Sequence, residues 1–263
     1  MILSTAKKTD IPELKAMWQE IFKDTDAYLD LFFGSKMEPE LTLIVRAENE
    51  IAAMLYMVDA PLVTGEGEQI PAFYLCGIAT RPAYRGQGLA GKLIESAFAL
   101  AKEKDAKVCY LIPANLPLFD FYKRFGMECR AYMKKGEFYG EEGVIPPFKT
   151  EKDITALRQF YDEMQLPFKP LRTEKDWEYI YACYESVLLF ENGYMVLPED
   201  EEAVYLSEQS FDGFAVAKAI AHQKGKKLIY TLPGTKNDTP FAVVKYLCEG
   251  ITLPDGYINL MLN

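Results

Sequence analysis

The chain has a single histidine, His222, among 263 residues. One histidine excludes a metal site built from several imidazoles and speaks against a histidine-based catalytic triad. His222 itself falls in Ala219-Ile-Ala-His-Gln-Lys224, which reads as a helix end with a structural role. The five cysteines (Cys76, Cys109, Cys129, Cys183, Cys248) include no C-x-x-C pair. Several stand in apolar runs, so they read as reduced and buried thiols of a cytoplasmic protein. No apolar run reaches the roughly 18 residues of a membrane span, and Met1 to Lys8 lacks a signal-peptide core. Positive charge is also scarce. With 29 basic against 39 acidic residues and a net charge of −10, the composition argues against a nucleic-acid partner, since phosphate binding needs clustered Lys and Arg. That charge suits a cationic, amine-bearing partner drawn in by the field, and equally an ordinary soluble surface.

What is present is concentrated in one segment, Thr80-Arg-Pro-Ala-Tyr-Arg-Gly-Gln-Gly-Leu-Ala-Gly-Lys92. A strand-like run, Phe73 to Ile78, leads into it, and an amphipathic helical run, Leu89 to Glu103, leads out. A basic, glycine-rich turn that opens a helix is an anion-binding device. The first helical N–H groups lack internal partners and the dipole adds positive potential there. Three readings compete. Gly86 to Lys92 fits G-x-x-x-x-G-K, but Leu93 stands where a P-loop needs Ser or Thr. Gly86, Gly88 and Gly91 fit G-x-G-x-x-G, but Arg81, Pro82 and Arg85 separate them from the strand. The nearby acid Asp105 also precedes the next strand, Val108 to Ile112, instead of ending it.

The third reading uses the whole segment. Arg85-x-x-Gly88-x-Ala90 after a strand resembles the acetyl-coenzyme A loop of the GCN5-related N-acetyltransferase (GNAT) family. A second element follows: Asn115, Leu118, Phe121, Tyr122 and Gly126 fall at the spacing of that family's next motif, after a strand ended by Pro113. The resemblance covers about residues 2 to 135. It implies a cosubstrate, acetyl-CoA, with its pyrophosphate on the N–H groups of Arg85, Gly86, Gln87, Gly88, Leu89 and Ala90. It also implies contacts from Asn115 and from the strand end at Ile78, Ala79 and Thr80, where a backbone N–H near Ile78 or Ala79 would hold the thioester carbonyl. It implies no metal. The implied reaction is direct transfer of acetyl to a primary amine of a small molecule or peptide, with no membrane or nucleic acid involved.

In that reaction the amine must be neutral, which at pH 7 costs about 4.6 kcal/mol for a lysine-like pKa, so a base helps. The candidates are Asp59, Glu68, Glu38 and Glu40, all of types that are more often surface acids. Tyr122 is implied as the general acid toward the departing thiolate. From unperturbed values, complete proton transfer from it is uphill by about 2 kcal/mol, so it acts mainly as a hydrogen-bond donor. Tyr28, Phe32, Phe33 and Tyr56 either line the acceptor cleft or belong to the core. A second functional reading is a non-catalytic acyl-CoA or CoA-binding module whose other half serves an interaction. Neither reading fixes the acceptor or the oligomeric state.

The second half repeats the first. Asp10-Ile-Pro-Glu-Leu-Lys-Ala-Met-Trp-Gln-Glu20 is echoed by Asp153-Ile-Thr-Ala-Leu-Arg-Gln-Phe-Tyr-Asp-Glu163. In the first copy Asp10 reads as N-cap, with Pro12 in the first turn and Glu13 closing a capping box. Thr42 to Glu50 is echoed by Ser186 to Gly193, a strand and polar hairpin turn. Lys107 to Pro113 is echoed by Lys227 to Pro233. An internal repeat of this kind implies two similar domains. The expected fold is therefore α+β, a mixed α/β pair of GNAT-like domains, each a twisted, largely antiparallel sheet flanked by helices. The first, residues 1–140, would be the acetyl-CoA-binding catalytic domain. The second, 148–263, would be a degenerate copy, with the Pro- and Gly-bearing stretch Glu141 to Pro147 as linker. The copy's loop, Glu208-Gln-Ser-Phe-Asp-Gly213, has no arginine, and its acids Glu208 and Asp212 would repel a pyrophosphate. A tandem pair with one active site resembles the enhanced-intracellular-survival type of acetyltransferase. In those relatives the terminal carboxylate reaches the active site, which makes the Asn263 carboxylate a further candidate base.

Overall fold

The computed structural model describes residues 1–184, 186–256 and 258–259. In chain order the first half runs β1 (Ile2–Thr5), α1 (Ile11–Phe22), α2 (Asp26–Ser35), β2 (Thr42–Ala47), β3 (Glu50–Asp59), β4 (Leu62–Thr64), β5 (Gln69–Ile70) and β6 (Ala72–Thr80). It continues through α3 (Leu89–Glu103), β7 (Val108–Leu111), α4 (Pro117–Lys123) and β8 (Glu128–Tyr139). The second half runs β9 (Phe148–Lys149), α5 (Ile154–Glu163), β10 (Phe168–Pro170), α6 (Glu174–Cys183), β11 (Val187–Phe190), β12 (Gly193–Val196) and β13 (Ala203–Leu206). It ends with β14 (Glu208–Gln209), α7 (Phe214–Gln223), β15 (Lys227–Pro233) and β16 (Thr239–Tyr246). Mixed sheets flanked by helices give the expected fold class.

The chain forms two compact units, one of Met1–Arg130 with Ala242–Leu253, the other of Ala131–Phe241 with Pro254–Asn263. The first unit thus takes most of β16, and the second takes β8 from Ala131 onward. The stretch Glu141–Pro147, expected as a linker, falls inside the second unit. Hydrophobic periodicity locates strands but does not say which sheet a strand joins, so this exchange has no local signature.

In the first unit the strand order is β1-β2-β3-β6-β7-β16. All neighbours are antiparallel except β6 and β7, which are parallel. β3 is the centre of the core: residues 51 to 58 are all buried, as a strand covered on both faces requires. The expected capping box at α1 does not form. A short 3-10 turn, Lys8–Asp10, precedes the helix, and the Asp10 carboxylate accepts from the Lys7 N–H at 2.8 Å. Asp10 and Glu13 both ion-pair with Arg46, and Glu13 also accepts from the Ile51 N–H. These two acids fasten α1 to the β2–β3 hairpin.

In the second unit the same element order recurs: two helices, a hairpin, a further strand, a helix and a strand. Asp153 caps α5, accepting from the Ala156 N–H at 3.0 Å. The β11–β12 hairpin splits its side chains between two clusters by strict alternation. Leu188, Phe190, Met195 and Leu197 pack with Ala217, Ile220 and Leu228, whereas Val187, Leu189, Tyr194 and Val196 pack with Leu157, Tyr161, Trp177 and Ile180. β13 runs parallel to β15, with Ala203 opposite Lys227 and Leu206 opposite Tyr230, as β6 does to β7. All five cysteines are free, but only Cys109 is fully buried; the other four are half-buried.

Candidate active site

The site is assembled around β6. Its parallel pairing with β7 lasts only from Ala72–Val108 to Tyr74–Tyr110, although β6 continues to Thr80. β7 stops at Leu111, ahead of Pro113, which has no N–H to extend the ladder. From Leu75 to Thr80 the strand pairs with β3 alone among the described residues. This leaves one edge with free backbone groups and a slot between two strands that have diverged.

Within that open edge lies a β-bulge. Met54 pairs with Ala79 and Tyr56 with Cys76, so Gly77 and Ile78 together oppose Leu55. A bulge removes a residue from the ladder, here at the place where Ile78 and Ala79 are expected to present a backbone N–H. Gly77 makes the bulge possible: its φ is +55°. A Cβ there would stand 2.6 Å from Tyr56 Cδ2 and 2.7 Å from Trp18 Cζ3. Gly77 is absent from the residues expected by sequence. Its signal was a glycine inside an apolar strand run, which marks a bulge or a close backbone approach.

After Thr80 the chain makes a 3-10 turn, Pro82–Tyr84, and then enters α3 through Gly88, whose φ is +73°, with Gly86 at +78°. No atom lies within 4 Å of a Cβ built on either glycine. The backbone N–H groups of Gly86, Gln87, Gly88, Leu89 and Ala90 have no protein acceptor among the described residues. They are the unpaired donors of a helix start, exposed except at Leu89 and Ala90. Such a cradle fits a phosphate-bearing group. Arg85 is exposed, and its Nε donates to the Thr80 carbonyl at 3.2 Å. Gly91, common to both rejected phosphate motifs, serves packing instead: a Cβ there would meet the Phe125 ring at 3.1 Å.

Arg81 braces the start of the turn and was not among the expected site residues. Its N–H donates to the Ala52 carbonyl and its Nε to the Ile51 carbonyl, both at 2.9 Å, while its guanidinium pairs with Glu20. Tyr84 adds a hydrogen bond to Glu50 at 2.8 Å. Together they lash the turn to α1 and to the β2–β3 hairpin.

Tyr122 lies on α4, 7% exposed, with its ring edge-on to Phe121 at 5.2 Å. Burial pushes its phenol up to about 12. Its hydroxyl has no hydrogen-bond partner among the described residues. Asn115 is exposed and its Oδ1 accepts from the Leu118 N–H at 3.3 Å, so its side chain caps the first turn of α4. Glu38, Glu40, Asp59 and Glu68 are all exposed. Phe32, Phe33 and Tyr56 are core residues, at 1%, 7% and 1% exposure around Trp18, and Tyr28 is half-buried at their edge. Asn263 lies outside the described residues.

In the second unit the corresponding loop is filled. Phe211 packs against Phe190 at 5.4 Å and against both Gly193 and Gly213, and Gly213 has a negative φ of −102°. The N–H groups of Ser210 and Gly213 are spent on the Tyr194 and Phe211 carbonyls. Glu208 is not a loop acid facing solvent, as the sequence suggested. It is 5% exposed on β14 and meets Arg172 through both oxygens, at 2.6 and 2.7 Å. It also accepts from Tyr194 at 2.7 Å and from Asn259 at 3.1 Å. The Arg172 guanidinium stacks over Tyr161 and Trp177 at 4.1 and 4.8 Å. Burial disfavours its charge, but the Glu208 carboxylate outweighs this and holds it firmly protonated. Among the described residues no cluster of His, Cys, Asp and Glu could hold a metal ion, and no helix is long and apolar enough to cross a membrane.

A Bacillus subtilis (strain 168) protein described as a candidate ribosomal protein bS18-alanine N-acetyltransferase is 39% identical over 71 residues. That match spans 26% of this chain and 46% of the relative, less than half of its length. Two solved structures share the fold over nearly the whole chain. An Enterococcus faecalis protein of unknown function, described as an N-acyltransferase candidate, superposes with TM-score 0.73 at 12% identity, covering 94% of this chain and 72% of its own. An acetyltransferase candidate from Pyrococcus horikoshii does so with TM-score 0.62 at 11% identity, covering 99% and 95%. The family model described as "Acetyltransferase (GNAT) domain" matches residues 3–130. This segment, with its split strand, bulge and open N–H cradle, is a GNAT acetyltransferase domain.

Proposed function

We propose that the chain is an N-acetyltransferase that binds acetyl-CoA in its first unit and passes the acetyl group to a primary amine by direct attack. The observation that carries this reading is the continuity of the slot with the cradle. The edge of β6 left open from Leu75 to Thr80 leads, through the 3-10 turn Pro82–Tyr84, into the unpaired N–H groups of Gly86 to Ala90. A long ligand with a polar amide arm and a pyrophosphate fits that succession of donors. Arg85 supplies charge at the pyrophosphate, and the bulge at Gly77–Ile78 supplies an N–H to the thioester carbonyl. Tyr122 donates a hydrogen bond to the sulfur as negative charge develops there. An exposed acid, through water, takes the proton of the amine.

The second unit, in this reading, is a degenerate copy with no donor site. Its loop space is taken by Phe211, and its acid Glu208, on the short edge strand β14, is taken up by Arg172.

Titration of acetyl-CoA into the whole chain, with and without Arg85→Glu, tests the assignment. The expected result is one site per chain, weakened at least about tenfold by the charge reversal. Two sites would overturn the degenerate reading of the second unit. Absence of binding would overturn the acetyltransferase reading. One site with no turnover across an amine panel would favour a non-catalytic acyl-CoA-binding module.

A further inference from the structure

Gly77, at the bulge, is backed by side chains that have no room to move. Gly77 lies against Tyr56 and Trp18 so closely that one added carbon would overlap both rings. Tyr56 is 1% exposed and Trp18 5%. Their ring centroids are 5.1 Å apart, and Phe32 closes the triangle at 4.8 Å from Trp18 and 5.5 Å from Tyr56. Phe33 meets Tyr56 edge-on at 5.7 Å. Both polar ends are pinned: Trp18 Nε1 donates to Asp24 at 2.7 Å, and the Tyr56 hydroxyl donates to Met54 Sδ at 3.3 Å. Rings held by neighbours on every side and by a terminal hydrogen bond do not swing aside without losing packing on all of them.

We propose that this Trp18–Tyr56 wall sets the length of the acyl group, admitting acetyl and excluding butyryl and longer chains. The inference rests on the donor site proposed above, with the thioester carbonyl at the Gly77–Ile78 bulge. An acyl chain held there by its carbonyl directs its tail at the wall. A methyl group ends short of the rings, whereas further methylenes enter the volume they occupy. The aromatic residues the sequence left between acceptor cleft and core thus acquire a role in the core itself, as the back of the donor site.

Binding of coenzyme A, acetyl-CoA, propionyl-CoA and butyryl-CoA to the full chain tests this directly. Coenzyme A and acetyl-CoA should bind within about threefold of each other, and butyryl-CoA at least about tenfold more weakly. Tyr56→Ala should restore butyryl-CoA to near the acetyl-CoA affinity while leaving coenzyme A unchanged. Tyr56→Leu, a smaller loss of volume, should move it in the same direction if the alanine variant does not fold. Butyryl-CoA bound as tightly as acetyl-CoA by the unmodified chain, or unchanged discrimination in a folded Tyr56 variant, would overturn the wall. Failure of coenzyme A itself to bind would overturn the donor-site assignment instead, so the two readings fail separately.

Discussion

Tyr122 illustrates how environment alters what a motif residue can do. At an unperturbed pKa its proton would pass to a thiolate at a cost of about 2 kcal/mol. At about 12 the cost against a model thiol rises to about 5 kcal/mol. Donation of a hydrogen bond without transfer is therefore the role its surroundings favour. Tyr122→Phe should lower kcat by about 100-fold and change the acetyl-CoA Kd less than about threefold. Because the phenol stays protonated well above neutrality, the alkaline limb of kcat/KM below about pH 10 should be shared by variant and parent. A limb lost in Tyr122→Phe would assign the titration to Tyr122 and overturn the upward shift of its phenol, while kcat unchanged in Tyr122→Phe would sink the donor role. Residues of this kind were legible because their motif is local: Arg85, Gly88 and Tyr122 stand at fixed spacing from one another. Arg81 and Glu208 were not. What Arg81 does depends on Glu20 and Ile51, and Glu208 reads as a solvent acid until Arg172, far away in the chain, is seen to neutralise it.

At the scale of elements, helices and hairpins followed from periodicity and turn chemistry, whereas the bulge depended on how two strands pair. The register of β6 against β3 slips at Gly77; the glycine in that run marks either a bulge or a close backbone approach, and only the pairing with β3 shows that it is both. The capping box expected at Asp10 and Glu13 failed for a related reason. Arg46 and the Ile51 N–H compete for those carboxylates, and they reach them only once β2 and β3 have docked. Gly77 offers a quantitative check on the bulge. Gly77→Ala adds a methyl both at a positive φ and against two pinned rings, and should destabilise by about 3 kcal/mol. Gly67 has a positive φ of +85° but nothing within 4 Å of a Cβ, so Gly67→Ala should cost only about 1 kcal/mol. Comparable losses in urea denaturation for the two variants would mean that Gly77 is not pressed against Trp18 and Tyr56.

For the whole molecule, the decisive feature is that the first unit does not end where its motifs end. All the residues proposed for the donor site lie before residue 130. Even so, the strand beside β7 is β16, with Val243 opposite Leu111, Val244 opposite Tyr110 and Lys245 opposite Cys109. Val243 and Val244 are buried, so removing them strips β7 of one neighbour and exposes apolar surface that the rest of the first unit cannot cover. β7 is also the far wall of the slot, and an unpaired edge there is free to slip or to recruit a foreign strand. A chain ending at residue 140 keeps every expected site residue and should nonetheless fail to bind acetyl-CoA, with a broadened or absent thermal transition. Val243→Pro in the full chain should act in the same direction: it deletes a donor on the side of β16 that faces β7, at a cost of about 3 kcal/mol or more, far in sequence from any motif residue. A truncated chain that binds acetyl-CoA as tightly as the whole would show that β16 is dispensable. Loss of binding in both variants would show that β16, far beyond the last motif residue, completes the sheet on which the proposed donor site is built.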